Sequence, residues 1–420
     1  MSSADTLNDL IATHHPAAAR CLSSLGRQIY YPSGVPAQAA QAAGTRINAT
    51  IGQVTDGRGH AMPLAALQAV VGGGIAPNAA FLYPPASGYP GLRRAWRDHQ
   101  RHPRPAAVSL PLVTGGLTHS LSLIADLFAD PGTPVLVPSP RWDNYDHIFG
   151  LRRGARMTPY RLMHPDGGLD LGAIEAALRS VAGRPAVLVL NLPSNPVGYS
   201  PTLAEAAALA EIVRAAAGPL VVALDDAYAG LTWEEGILER SLFHDLVDAD
   251  PERILAVKVD GATKELFFFS GRVAFLTFGV GGLAGEALEE KARATLRATV
   301  SSPSGLSQAV VEAALADPDL PRQQAELRAM LGRRYRLFRD ALQRRGLAAW
   351  PFNSAYFALL PVPGDAHALR HRLIAAGIGV VATPEVGAIR LSYASTHEDD
   401  IEELVTTIAD HLERAPEAAR

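Results

Sequence analysis

A chain of 420 residues, 48% hydrophobic and 19% charged, is too long for one hydrophobic core and too apolar to stay disordered; one large and one smaller lobe are expected. Its 38 Lys+Arg against 42 Asp+Glu leave a net charge of −4 with neither sign gathered in a tail, which argues against a polyanion-binding surface and against nucleic acid as a partner. A single cysteine, Cys21, read as a small buried hydrophobe, excludes intramolecular disulfides and a cysteine-built zinc site, and no apolar run is long enough to cross a bilayer. Met1 to Leu10 shows neither the basic nor the apolar region of a secretory signal, so a soluble, cytoplasmic protein with no membrane partner and no metal is expected.

Along the chain, short apolar runs alternate with helical patterns, the signature of an α/β fold with a mainly parallel sheet flanked by helices. A helical stripe covers 117–129, through Leu121, Leu123, Ile124, Leu127 and Phe128. Strands are predicted at 134–137, 186–191, 220–224, 254–259 and 273–278, each apolar on both faces as a covered strand must be. An Ala-rich helix is predicted at 203–217, and a helical stretch at 307–345 is interrupted near Pro318 and Pro321. A compact α+β piece follows: strands at 356–360 and 389–393, helices at 367–376 and 398–414, the last with Thr396 and Asp399 as its N-terminal cap. These patterns divide the chain into an N-terminal segment, 1–74, that contributes to the small domain and a substrate loop, a large domain, 75–305, and a C-terminal small domain, 306–420.

In such sheets ligands sit beyond the carboxyl ends of the strands. The polar residues Asn195, Asp225, Tyr228 and Lys264 all follow apolar runs. Lys264, near Phe267, Phe268 and Phe269, is poorly solvated there, which lowers its pKa and suits a Schiff-base nucleophile; taken by itself it reads first as a surface lysine at a strand end. Asp225 needs a fixed positive partner, such as a protonated ring nitrogen, while Asp226 fits a helix cap. Asn195-Pro196-Val197-Gly198 is a turn, and Gly116, Leu117 and Thr118 open a helix whose free N–H groups suit a phosphate.

Taken in order, Gly116-Leu117-Thr118, Asn195-Pro196-x-Gly198, Asp225-x-Ala227-Tyr228 and Lys264 with Arg272 resemble the pyridoxal 5'-phosphate (PLP) enzymes of the aspartate aminotransferase family, class I/II, fold type I, from about Asn48 to the last helix. The resemblance implies that Lys264 holds PLP as a Schiff base and later moves the substrate proton. It implies that Asp225 pairs with the pyridinium nitrogen, Tyr228 and Asn195 bond the ring phenolate oxygen, and Trp142 stacks on the ring. Arg272 and the turn at Gly116, Leu117 and Thr118 take the phosphate. On the substrate side it implies Arg390 for the α-carboxylate, a closing loop at Gly52, Tyr356 on a pocket-lining strand, and Arg297 where some members bind a distal carboxylate. Tyr83 matches the tyrosine that reaches the phosphate of the neighbouring subunit, which implies a homodimer with shared active sites. The chain departs from the pattern at Gly261, where serine is usual, at Ala274, where glycine is common, and in the bulky run Phe267–Phe269.

The activity so implied is transfer of an amino group between an α-amino acid and a 2-oxo acid. The alternative on the same scaffold is a PLP enzyme that does not transaminate: elimination, replacement or C–C bond formation, for example on an S-adenosylmethionine-type substrate. A PLP-sensing regulator would need a DNA-binding module, and the first 50 residues hold neither a helix-turn-helix pattern nor a basic patch.

Overall fold

The computed structural model describes Asp5, Asp9 and residues 35–50, 52–58, 60–71, 73–101 and 103–413. Cys21, Ile51 of the expected substrate loop, and Arg414 at the end of the expected last helix lie outside the described residues.

Seven strands form the main sheet: β1 (Leu112–Thr114), β2 (Pro134–Ser139), β3 (Arg156–Arg161), β4 (Ala186–Leu190), β5 (Leu220–Asp225), β6 (Ile254–Gly261) and β7 (Ala274–Phe278). Their spatial order is β1-β7-β6-β5-β4-β2-β3, and β7 runs antiparallel to both neighbours while the remaining pairs are parallel. Alternation along the central strands explains why β4 and β5 read as apolar on both faces. Val187 and Val189 of β4 and Ala223 of β5 pack with Leu121 and Ile124 of α2 (Leu117–Phe128). Leu188, Leu190, Val222 and Leu224 point the other way, onto Leu209 and Val213 of α3 (Leu203–Arg214). Continuing the same alternation, Asp225 falls on the α2 side of the sheet and Asp226 on the other, where it bonds Ser241 and caps no helix.

Local chemistry sets the helix ends. Thr202 and Glu205 form a reciprocal capping box at α3, with Glu205 N–H donating to Thr202 Oγ1 at 3.2 Å and Thr202 N–H donating to Glu205 Oε2 at 2.8 Å. The expected break near Pro318 and Pro321 separates α5 (Gly305–Leu315) from α6 (Leu320–Arg344), with Pro321 in the first turn, where a missing N–H costs nothing. The long helix α4 (Gly282–Val300) precedes them.

The C-terminal part carries an antiparallel sheet, ordered β9-β10-β8, of β8 (Phe357–Pro361), β9 (Val381–Thr383) and β10 (Ala388–Ser392), covered by α7 (Ala366–Ala375) and α8 (Ile401–Glu413). The N-terminal segment joins it: Ile47–Asn48 pairs in parallel with Ile378–Gly379, and Gln38 bonds the backbone of Ala382. The expected cap of the last helix is different. His397 Nδ1 accepts from Asp399 N–H at 3.2 Å, while the Thr396 hydroxyl donates back to the Ser392 carbonyl at 3.1 Å. Among the described residues no helix is long and apolar enough to cross a membrane.

Candidate active site

A cavity of about 230 Å³ opens beyond the carboxyl ends of β4, β5 and β6. Asp225, the last residue of β5, is 4% exposed at its floor. Tyr145 donates its phenol to Asp225 Oδ2 at 2.5 Å, Ala227 N–H donates to Oδ1 at 3.3 Å, and Asn191 Nδ2 donates to the Asp225 carbonyl at 2.9 Å. Burial pushes this carboxyl above the usual carboxylate range, while the Tyr145 bond and the charge of Lys264 pull it back. An anion in such a place is best satisfied by a cation on its open side.

Lys264 sits in the short helix Ala262–Glu265 that follows β6, its Nζ 4.9 Å from the centre of the Tyr228 ring. Burial brings its amine down to about 8, with Asp225 opposing the fall and Arg272 adding to it. The antiparallel return of β7 pairs Gly261 with Ala274 and brings Arg272 back beside the lysine turn. The pairing also accounts for two of the departures noted above. A Cβ on Gly261 would stand 2.7 Å from Ala274 Cα and 2.8 Å from the Val273 carbonyl oxygen, so no serine fits there.

Arg272 meets the turn between β1 and α2. Gly116, at φ +100°, leaves the space that a Cβ would take from the guanidinium, 2.8 Å from Arg272 Cζ. At the other side of the cavity Arg390, on β10 and 3% exposed, donates to Asn195 Oδ1 at 2.9 Å and to the Thr50 carbonyl at 2.7 Å. Its guanidinium lies 4.3 Å from the centre of the Phe357 ring. Burial lowers Arg390 to about 10, which leaves it charged at neutral pH. Burial also raises Tyr228, keeping its phenol protonated.

The profile of the aminotransferase class I and II family matches residues 44–408. The chain belongs to this family. It is 27% identical to the aspartate/prephenate aminotransferase of Thermus thermophilus over 345 residues, 79% of this chain and 84% of that protein. It is 34% identical to a probable N-succinyldiaminopimelate aminotransferase of Mycobacterium tuberculosis over 198 residues, 45% of this chain and 47% of that one. Among solved structures, an aminotransferase from Anaerococcus prevotii superimposes with a TM-score of 0.83 at 18% identity, over 92% of this chain and 97% of that chain. The protein is thus a PLP-dependent aminotransferase of fold type I.

The cavity of this aminotransferase fits PLP on three structural grounds. Gly116 and Arg272 make a cradle that any side chain at 116 would fill. Asp225 is a buried carboxylate short of positive charge. Thr263 Oγ1, buried and lining the cavity, has no hydrogen-bond partner among the described residues, and it offers the hydroxyl that Gly261 lacks.

Of the residues singled out in the sequence, Gly52, Leu117, Thr118, Trp142, Asn195, Asp225, Tyr228, Lys264, Arg272 and Arg390 all line this one cavity. Gly116 abuts Arg272 just behind the lining, and Tyr356, Arg297 and Tyr83, the last expected at a neighbour's site, lie outside it. Tyr356 is not in the lining; it is buried with its ring edge-on to Tyr228 at 5.2 Å, and Phe357 takes the lining position, because successive residues entering a strand face opposite ways. Arg297 is exposed on α4, and Tyr83 is 94% exposed, both outside the lining. Sequence reasoning missed Tyr145, Asn191 and Thr263. Asn191 ends an apolar run and Thr263 adjoins the lysine, so position gave a signal for both; a tyrosine three residues after Trp142 gave none.

Proposed function

We propose that the enzyme moves the amino group of an α-amino acid to a 2-oxo acid with Lys264 as the acid–base group, and that the convergence of Lys264, Asp225, Arg272 and Arg390 on one cavity carries this reading. PLP, when bound, supplies the electron sink that makes the substrate Cα–H bond acidic. The residues do the rest. Arg272 and the helix start at Gly116, Leu117 and Thr118 bind the phosphate, with the Thr263 hydroxyl beside them. Asp225, held in place by Tyr145, keeps a proton on the ring nitrogen through its negative charge. Trp142 covers the ring, and Asn195 and Tyr228 bond its phenolate oxygen.

Arg390 turns its fork to the substrate carboxylate, exchanging the Asn195 and Thr50 oxygens for the incoming pair, and so orients the Cα–H bond. Lys264 Nζ, brought down to about 8 by burial and so a readier proton acceptor and donor near neutral pH than a free lysine, would take and return the Cα proton. Gly52 lies over the Phe357 ring at the substrate side, where a Cβ would stand 2.5 Å from Phe357 Cζ.

The reading extends to the assembly. Phe81, Leu82 and Tyr83 are 87%, 62% and 94% exposed, an apolar run that a second copy covers in this reading. In that homodimer Tyr83 reaches the neighbour's phosphate, and Arg297 serves the neighbour's substrate side. The division into residues 1–74, 75–305 and 306–420, and a cytoplasmic location, belong to the same reading. The test is chemical: borohydride reduction of the yellow protein followed by peptide mapping places the reduced cofactor on Lys264, and a colourless protein that takes up no PLP refutes the proposal.

A further inference from the structure

The phosphate-binding turn is held from behind by a side chain to which the reaction itself assigns no role. Gly115 N–H donates to His119 Nδ1 at 3.1 Å, and the other ring nitrogen lies 3.1 Å from Thr299 Oγ1, in the last turn of α4. Thr299 donates its one hydroxyl proton to the Leu296 carbonyl at 2.9 Å, so its oxygen acts as acceptor toward the ring. The two partners therefore fix the tautomer: a lone pair on Nδ1 facing the turn and a proton on Nε2 facing α4. An imidazolium has no lone pair for Gly115. Burial disfavours that charged form and Arg152 adds to the effect, while Asp126 of α2 opposes it; the contact from α4 is the uncharged Thr299.

We propose that His119 is a positioning residue for the cofactor phosphate: its ring latches the Gly115–Gly116 turn through the Gly115 N–H, with Thr299 of α4 fixing the tautomer that accepts it, and so sets where the N–H groups of Gly116, Leu117 and Thr118 point. The Gly115 N–H is used by the ring, so the phosphate cradle starts at Gly116, the residue that abuts Arg272. A second tie, from Thr114 Oγ1 to Ser120 Oγ at 2.7 Å, holds the foot of the same turn and leaves Gly115 to His119. Hydrogen bonds from such a turn lose their strength over shifts of a few tenths of an ångström, so a latch one bond away controls phosphate affinity without touching the cofactor.

The inference rests on the phosphate site proposed above, and one set of titrations separates the two. Apoprotein is titrated with PLP and with pyridoxal, which lacks the phosphate, for the parent, His119→Leu, His119→Asn, His119→Gln and Arg272→Ala. Asn places Oδ1 where Nδ1 stood and keeps the Gly115 bond; Gln reaches the place of Nε2 and keeps only Thr299. Losing one hydrogen bond in the turn weakens PLP binding by about tenfold in the Leu and Gln variants. The Asn variant stays near the parent, and pyridoxal binding is unchanged in all three. Equal loss of PLP and pyridoxal in the Leu variant, or a Gln variant that binds PLP better than Asn, overturns the latch. If Arg272→Ala binds PLP as tightly as the parent, the phosphate lies elsewhere and both readings fall. Should His119→Leu not fold, the Asn and Gln pair decides alone.

Discussion

Gly116→Ala probes the tightest point of the cofactor cradle. At φ +100° and ψ 165° the residue occupies backbone space essentially reserved for glycine, so an alanine there is strained by about 1–3 kcal/mol. Its methyl would also stand 2.8 Å from Arg272 Cζ and 3.3 Å from Nε, nearer still to Nη2. Ordinary contact begins at 3.4 Å, so the guanidinium carbon retreats by about 0.6 Å and its outer nitrogen by more. The whole N–H···O window runs only from roughly 2.7 to 3.2 Å, so a contact centred in it is lost by such a retreat. One charge-assisted hydrogen bond is worth about 1.5–3 kcal/mol, which corresponds to PLP binding weakened on the order of ten- to a hundredfold. Titration of apoprotein with PLP, followed by absorbance, reads the change, and pyridoxal serves as the phosphate-free control. Parental PLP affinity in Gly116→Ala, or equal weakening toward pyridoxal, refutes the cradle.

Other consequences follow from the same site. Asp225→Asn removes the charge that holds the ring proton; breaking a buried charge pair costs about 3–5 kcal/mol, so turnover falls by roughly two to four powers of ten. Burial already disfavours that carboxylate in the cofactor-free protein, so the melting temperature of the Asn apoprotein equals or exceeds the parent's, as calorimetry checks. Only neutral Lys264 captures PLP, and its pKa is lowered to about 8, so the capture rate of apoprotein rises tenfold per pH unit below about 8 and levels above it. A rate that keeps climbing to pH 10 contradicts the buried placement of the amine. Arg390→Lys keeps the charge but loses the fork, and the KM for amino acids rises by about tenfold or more while kcat changes less.

Most of the sheet is legible in the sequence because β4, β5 and β6 are covered on both faces, so their runs are almost wholly apolar, Lys258 of β6 being buried in a pair with Asp260, and the polar residues that follow mark the ligand edge. The same logic fails at the edges. β3 (Arg156–Arg161) is half exposed and reads as polar, and β1 is three residues long; both escaped the pattern. Within the site, residues at strand ends were visible because a charge after an apolar run is costly, whereas Tyr145 resembles any core aromatic until the fold brings its hydroxyl to Asp225. The exchange of Tyr356 for Phe357 is a one-residue matter of strand phase, which aromatic neighbours in sequence do not reveal. The cap of the last helix failed similarly: Thr396 has a nearer acceptor in Ser392, which leaves His397 to take the free N–H. Tyr83 and Arg297 are exposed outside the lining of the chain's own cavity.

Transfer itself is tested most directly by a single half-reaction. Enzyme loaded with PLP is mixed with an equal amount of an α-amino acid and no oxo acid, and the cofactor and products are separated. Conversion of the cofactor to pyridoxamine phosphate with release of one equivalent of the matching 2-oxo acid is the predicted result. Consumption of the amino acid to another product with PLP left intact would contradict it.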